Sequence, residues 1–277
     1  MIIVDFNQVM ISNLMAQIGN HTNIPLDEGL FRHMVINSIR TYKQKFGQEY
    51  GDIVIACDDR NYWRKQVYPY YKANRKKARD KSELDWTMIF ESFNNIRSEI
   101  KEFFPYRVIQ VETAEADDII ATLVKNHADQ KVMILSGDKD FVQLQKYPNV
   151  KQYDPVRKKS ISHDNPSYYL FEHIMKGDSG DGIPNILSDD DVFVVEDKRQ
   201  KPLTQKKIDA AWISKEYLVT RNFLRNQQIV DLDCIPSHIS EAILNKYNEE
   251  AGKDRSKLFN YFIKYKLKHM MENVGDF

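Results

Sequence analysis

Residues 107–140 read RVIQVETAEADDIIATLVKNHADQKVMILSGDKD, and this stretch decides the fold. Its two ends, RVIQV (107–111) and VMILS (132–136), are short β-branched runs bounded by turn residues, the pattern of buried strands. Between them, residues 115–126 set Ile119, Ile120 and Leu123 behind an acidic start, as an amphipathic crossover helix does. Working outward, IIV (2–4) and IVIAC (53–57) repeat the strand pattern. Residues 27–46 supply a further helix through Leu30, Met34, Ile36 and Ile39. The expectation is an α/β domain with a central, mostly parallel sheet flanked by helices. After residue 164 the strand signals fade, and helices are expected around 165–176, 204–231, 237–248 and 254–268. The chain therefore reads as a catalytic-sized α/β domain over 1–164 and a mainly helical domain over 165–277. The SDDD run (188–191) and the KRQKP stretch (198–202) read as a mobile loop between helices.

Composition narrows the class of protein. With 40 basic and 40 acidic side chains in 277 residues, the formal net charge is zero, so any nucleic-acid binding must come from local segregation of charge. Cys57 and Cys234 are too few for a disulfide framework and have no CxxC spacing, which excludes a structural zinc site. The start MIIVDFNQ lacks the order of a signal peptide, and no apolar run approaches a membrane span. A soluble intracellular protein is expected, with no membrane partner.

Acids recur where strands end. Asp5 follows the first strand, Asp58 and Asp59 the second, and Asp138 and Asp140 the fourth; Glu115, Asp117 and Asp118 open the helix after the third. Asp178 and Asp181 lie in a Gly-rich turn, KGDSGDGIP. Each alone fits a turn residue or a helix cap. Together they predict convergence, because ligands of open α/β sheets bind outside the carboxyl ends of the strands. Two carboxylates about 5 Å apart repel by roughly 3 kcal/mol at an effective dielectric near 20, so such a cluster needs protons or cations. An all-oxygen donor set favours Mg²⁺ or Mn²⁺, and two such ions can drive hydrolysis of a phosphodiester.

The missing charge segregation lies at 60–81, RNYWRKQVYPYYKANRKKARDK, which carries nine Lys or Arg, the single acid Asp80, and the aromatics Tyr62, Trp63, Tyr68, Tyr70 and Tyr71. A run of this kind is either a solvated charged helix or a surface for single-stranded nucleic acid, with phosphates neutralised and bases stacked. Its start two residues after Asp58 favours the second reading.

The motifs IIVDF (2–6), IACDDRNYWRK (55–65), YYKANRKKAR (70–79), AEADD (114–118), LSGDKDFVQL (135–144), KYPNVKQYDP (146–155) and KGDSGDGIPNI (176–186) together resemble the flap endonuclease superfamily of 5′ nucleases. The order matches along most of the chain. The resemblance implies a PIN-like 5′ nuclease fold with a helical arch over 60–90 and a smaller helical carboxyl-terminal domain that binds DNA. It implies a Mg²⁺-dependent 5′→3′ exonuclease and flap endonuclease with ribonuclease H activity, which removes RNA primers and adjacent DNA on the lagging strand. Two Mg²⁺ ions are implied, with Mn²⁺ able to substitute. Asp5, Asp58, Glu115, Asp117, Asp138 and Asp140 would serve the first ion, and Asp118, Asp178 and Asp181 the second. Lys72 and Arg75 would contact the scissile phosphate, with Tyr71 stacking or orienting beside them. Arg64, Lys65, Lys76, Lys77 and Arg79 would hold the nucleic-acid backbone.

The implied partners are DNA and RNA–DNA hybrid with a 5′ end or flap, a single-stranded DNA-binding protein and a sliding clamp. The phage branch of the superfamily further implies a monomer acting in the cytoplasm of an infected bacterial host. One element departs from the superfamily: in place of a second Gly-rich turn and helix, which grip duplex and bind a monovalent cation, stands LSDDDVFVVEDKRQKPLTQKKID (187–209). That leaves Lys198, Arg199, Lys201, Lys206 and Lys207 either on a phosphate backbone or on a surface loop. Two other readings stand beside the nuclease: a PIN-like endoribonuclease, and a non-catalytic protein that recognises replication junctions. The seven His show no zinc-like spacing and read as surface or supporting residues, Cys57 as a small buried packer, and 259–265 (FNYFIKY) as core packing of the last helix, or, as the resemblance implies, as a segment that helps present the carboxyl-terminal region to a single-stranded DNA-binding protein.

Overall fold

The computed structural model describes residues 1–19, 26–215 and 220–277, with the side chains of Lys77 and Ala78 left outside the description. Among the described residues one sheet is formed by β1 (Ile2–Asp5), β2 (Ile53–Ala56), β3 (Arg107–Ile109), β4 (Val132–Leu135), β5 (Val150–Asp154) and β6 (Lys159–Ile161). Their order is β3-β2-β1-β4-β5-β6, parallel throughout except for the β5–β6 hairpin. The four strands expected from β-branched runs are present. The hairpin is an addition, carried by the KYPNVKQYDP motif and a second strand whose residues are largely exposed at the sheet edge.

The helices in chain order are α1 (Phe6–Ile18), α2 (Glu28–Tyr50), α3 (Arg64–Val67), α4 (Ala73–Asp80), α5 (Trp86–Phe103) and α6 (Ala116–Asn126). After the sheet come α7 (Pro166–Lys176), α8 (Gln205–Ser214), α9 (Arg221–Val230), α10 (Ser237–Glu249), α11 (Leu258–Lys264) and α12 (Lys268–Met271). Several begin on a side-chain cap, which satisfies a backbone N–H that the helix itself leaves unpaired. Asp5 caps α1, Asp27 caps α2, Asp85 caps α5 and Asn165 caps α7, each accepting from the third residue on.

Alternation along β1 sends Ile2 and Val4 to one face and Ile3 to the other, so each face of the sheet builds its own core. The first core is filled by α1, α2 and α5 and closed by Leu258, Tyr261, Phe262, Met270 and Phe277. Packing of Tyr261 and Phe262 places the 259–265 segment largely where its aromatics suggested, although Phe259 and Ile263 face outward. The second core joins α6 and α10. A third, smaller core gathers α7, Ile183, Ile208 and α9 around Tyr68 and Tyr71. The mainly helical region 165–277 thus divides by packing: its first part surrounds a core of its own, while α10 to α12 belong to the two faces of the sheet. No described helix is long and apolar enough to cross a membrane.

Side-chain and backbone hydrogen bonds cross loop 187–204. Asn185 accepts from Ser188 Oγ (2.9 Å) and donates to the Lys201 carbonyl (2.8 Å), and Lys201 N donates to Ser188 Oγ (2.8 Å). Its acidic and basic runs answer each other: Lys198 pairs with Asp191 at 2.6 Å, and Asp190 receives Arg221 at 2.5 Å together with Arg225. The acidic and basic runs thus face each other across the loop, a pairing that their linear separation hid.

Candidate active site and metal centre

The sheet order reverses direction at β1, with β2 and β3 on one side and β4 and β5 on the other, and the carboxyl edge there opens into a cleft of about 950 Å³. Asp5 ends β1 in register with Ala56, so Asp58 emerges just beyond it. On the other side Leu135 pairs with Val4, and the Ser136–Gly137 turn carries Asp138 to the same edge. Asp5, Asp58, Asp59, Glu115, Asp117, Asp138, Asp140, Asp178 and Asp181 all border this cleft.

Several of these carboxylates are oriented by local backbone or by a neighbour. Asp5 accepts from Gln8 N (3.2 Å) and Ser136 Oγ (3.0 Å). Asp58 accepts from Ala116 N (2.6 Å), the first residue of α6, and from Asn7. Asp138 caps the following 3₁₀ turn through Asp140 N (2.9 Å), and the turn itself is fastened by Gly137 N donating to Gln8 Oε1 (2.6 Å). Asp178 accepts from Gly180 N (2.7 Å).

Burial and crowding leave these groups under strain. Burial, with Asp58 and then Asp138 adding repulsion, pushes Asp5 up to about 7. Burial and Asp138 push Asp140 up to about 7 as well. Burial, then Asp138, Asp140 and Glu115, raise Asp117 well above the usual carboxylate range, and burial raises Asp58. A site that binds protons this readily is one that lacks positive charge.

The opposite wall supplies cations. Lys72 sits at a left-handed backbone position (φ 56°) before α4, where its N–H donates to the Asp181 carbonyl at 2.8 Å. Its ammonium pairs with Glu115 and lies 3.7 Å from Asp181, while Arg75 pairs with Asp181. Tyr71 is buried and donates its hydroxyl toward Glu115 (3.0 Å) and Asp181 (3.2 Å), so it orients acids and has no free ring face. Burial alone raises Glu115, yet Lys72 and Arg64 outweigh it and hold the carboxyl below its ordinary value.

Two expectations from the sequence are corrected. Arg64, read as a backbone contact, is 2% exposed and spans Glu115 (2.8 Å), Asp118 (2.8 Å) and the Ile229 carbonyl (2.8 Å). Asp118, read as an ion ligand, is 0% exposed and saturated by Arg64, by Trp63 Nε1 (3.0 Å) and by Glu115 N (2.9 Å). The pair is a buried structural clamp: four hydrogen bonds hold the Asp118 carboxylate inside, and it does not line the cleft. Trp63 and Tyr68 are likewise buried, which removes them as stacking surfaces. Lys65 and Lys76 are exposed, Arg79 borders the cleft, and the side chain of Lys77 lies outside the described residues.

One site residue escaped the sequence reading. His173 of α7 places Nδ1 3.3 Å from Asp140 and Nε2 3.6 Å from Asp178, and the three side chains form a group able to hold a metal ion. Burial works against its charge, but Asp178 and Asp140 hold the imidazole above its ordinary pKa; in return His173 draws Asp178 down to about 2. Its only signal in the sequence was helical phase, since it faces the turn that begins at Gly177.

The donor chemistry fits hard divalent ions. Asp5, Asp117 and Asp140 offer oxygens that burial and mutual repulsion leave short of positive charge, whereas the imidazole of His173, beside Asp140 and Asp178, is a softer donor than such ions prefer.

Strand-end carboxylates on a parallel sheet, faced by a basic helix, define the class of 5′-3′ exonucleases, and the family model for their amino-terminal, resolvase-like domain matches residues 2–171. A second model, the carboxyl-terminal part of T4 RNase H, matches residues 165–277. The chain belongs to this 5′-3′ exonuclease family, in the branch of T4 ribonuclease H. It is 33% identical over 291 residues to ribonuclease H of Enterobacteria phage T4, covering 99% of this chain and 95% of that protein. It is 31% identical over 143 residues to flap endonuclease Xni of Shewanella oneidensis, spanning about half of that protein (51%) and 48% of this chain. Among solved structures, the T5 D15 protein co-crystallised with metal ions superimposes with a TM-score of 0.64 at 18% identity, covering 91% of this chain and 99% of that one. The bacteriophage T5 D15 flap endonuclease in a complex with DNA and metal ions gives 0.63 over 90% of this chain and 97% of its own. These likenesses show the shared fold.

Proposed function

We propose that this nuclease hydrolyses phosphodiester bonds at the 5′ ends and flaps of DNA and RNA–DNA duplexes, with two Mg²⁺ ions as its cofactors and Mn²⁺ as a substitute. The observation that carries the reading is the cleft in which Asp5, Asp58, Asp117, Asp138 and Asp140 meet opposite Lys72 and Arg75. Asp5, Asp58, Glu115, Asp117, Asp138 and Asp140 would hold the first ion directly or through water. Asp178 and Asp181 would serve the second, beside Asp117 and Asp140. Bound there, the ions supply Lewis-acid stabilisation of the phosphodiester and a water of lowered pKa.

The chain's own residues do the remainder. Lys72 and Arg75 exchange their contacts with Glu115 and Asp181 for the scissile phosphate, where fixed positive charge lowers the cost of the developing negative charge. Tyr71 keeps Glu115 and Asp181 in place during that exchange. Ser136, Gln8 and Asn7 hold Asp5, the 136–138 turn and Asp58 against mutual repulsion. Lys65, Lys76 and Arg79 bind the nucleic-acid backbone near the cleft.

The resemblance read in the sequence extends the proposal. The division at residue 164, with the helical remainder gripping duplex DNA, belongs to it, as do a monomeric state and action in the cytoplasm of an infected host removing lagging-strand primers. So do a single-stranded DNA-binding protein and a sliding clamp as partners.

The test is digestion of labelled 5′-flap, nicked-duplex and RNA-primed substrates with and without Mg²⁺, read for product length, with single-stranded RNA alongside. Short products from the 5′ end are expected only with the ion. Asp138→Asn is expected to lower cleavage by at least about 10²-fold while DNA binding persists. Undiminished turnover in that variant, or preference for the plain RNA, would overturn the assignment.

A further inference from the structure

The strand-end acids are oxygen donors, and α7 brings a nitrogen donor among them. His173 keeps only 14% of its side chain exposed, and Tyr169, one turn earlier on α7, packs against the ring with centroids 6.4 Å apart. Nδ1 faces Asp140 at 3.3 Å and Nε2 faces Asp178 at 3.6 Å. The first distance is within reach of a hydrogen bond, which fixes the proton on Nδ1 and leaves the Nε2 lone pair on the Asp178 side. The second is too long for a hydrogen bond. It is instead the spacing of two donors on one ion, since ligands about 2.1 Å from a metal lie roughly 3 to 3.6 Å from each other. Asp140, His173 and Asp178 offer donor atoms that all lie within 4.8 Å of one another. A cavity of about 10 Å³, room for a single ion or water, lies against these three side chains and against Asp117 and Asp181. Arg64 also lines it, but its charge is matched by Glu115 and Asp118.

We propose that His173 is a ligand of the second ion through Nε2, and that this nitrogen makes the site prefer Mn²⁺ to Mg²⁺. The inference rests on the nuclease reading and deepens it by naming the residue that sets metal preference. Mg²⁺ gives up its waters reluctantly and takes oxygen donors in a strict octahedron, whereas first-row transition ions accept imidazole beside carboxylates. Asp140 then acts twice, accepting from Nδ1 and turning its other oxygen toward the cavity. A carboxylate behind the ring in this way orients a metal-bound imidazole and raises its basicity. The site around Asp5 and Asp138 borders no described imidazole and keeps the preference of an all-oxygen set. The two sites therefore differ in kind, and a mixture of ions loads them unequally.

The experiment reads the bound ion rather than turnover. Mn²⁺ alone, at one equivalent, is added to the full chain after EDTA treatment and desalting, and electron spin-echo envelope modulation is recorded for coupling to imidazole nitrogen. Coupling is expected in the wild type and is expected to vanish in His173→Gln, which offers an oxygen at similar reach. In calorimetric titrations the variant is expected to lose about tenfold in Mn²⁺ affinity at one site, with Mg²⁺ affinity changed by less than about threefold. Melting curves in EDTA check that the variant folds, and the wild-type spectrum is a test that needs no variant. Absence of nitrogen coupling in the wild type, coupling that persists in the variant, or equal losses for both ions overturns the assignment. Digestion of a 5′-flap duplex separates the two readings. Nitrogen coupling in a protein that cuts no flap with either ion keeps His173 as a ligand and removes the nuclease reading, whereas flap cutting without nitrogen coupling removes His173 alone.

Discussion

Arg64 touches Glu115, Asp118 and the carbonyl of Ile229 within one guanidinium; Arg64 and Asp118 are sealed inside the protein, while Glu115 is buried with one edge on the cleft. Its charge is held well above its ordinary pKa, since Asp118 and Glu115 together overcome the effect of burial. Removing one member of such a set leaves the others charged and unpaired, which costs about 3 to 5 kcal/mol. Arg64→Ala is accordingly expected to lower unfolding stability by that amount in urea titrations and to reduce cleavage by releasing Glu115. A variant of unchanged stability whose DNA affinity merely loses about one unit of salt dependence would instead make Arg64 a phosphate contact. Lys72 differs in kind: its partners Glu115 and Asp181 line the cleft rather than the core.

Among the elements, the turn between α7 and loop 187–204 is the most constrained. Gly177 has φ 65°, and a Cβ there would stand 2.3 Å from the Ile183 carbonyl oxygen. The contact exists because Asp178 and Ile183 exchange backbone hydrogen bonds of 2.8 and 2.7 Å, closing the loop that aims Asp178 and Asp181 at the cleft. Gly177→Ala therefore combines backbone strain with a backbone clash, at about 2 to 4 kcal/mol, and is expected to lower cleavage by displacing both acids. Gly51, with φ 84° and open space around its Cβ position, is the control, and Gly51→Ala is expected to cost only about 1 kcal/mol. Melting temperatures of the two variants decide the point: equal losses would remove the clash from the account.

For the whole molecule, the acid cluster makes stability depend on pH and on divalent ions together. Asp5 and Asp140 titrate near 7 in the fold against an ordinary 3.8, so the folded state binds more protons than the unfolded state in between. Their contribution to metal-free stability is complete below about pH 4 and is lost as pH rises through about 7. Divalent ions replace those protons, so they stabilise most where the acids are ionised. Melting of the EDTA-treated protein is expected to fall from about pH 5 to about pH 8, more steeply than for Asp140→Asn. Saturating Mg²⁺ is expected to raise it by roughly 5 to 10 °C at the upper pH and by little at the lower. A flat profile in EDTA would show that the acids do not share one field.

On this same scale the sequence by itself determined four parallel strands of the sheet, its crossover helices and the acids at strand ends, because periodicity and strand-end position are local properties of a chain. The motif order also placed Lys72 and Arg75 beside the acids. Only the tertiary structure decided which charges and rings remain available to a ligand. Arg64 meets Asp118 across 54 residues and Ile229 across 165, and His173 meets Asp140 across the packing of α7, relations that no spacing in the sequence encodes. Trp63 and Tyr71 were drawn inward while Phe90 was left facing the cleft, because burial depends on which surfaces come to cover a residue rather than on its own hydrophobicity.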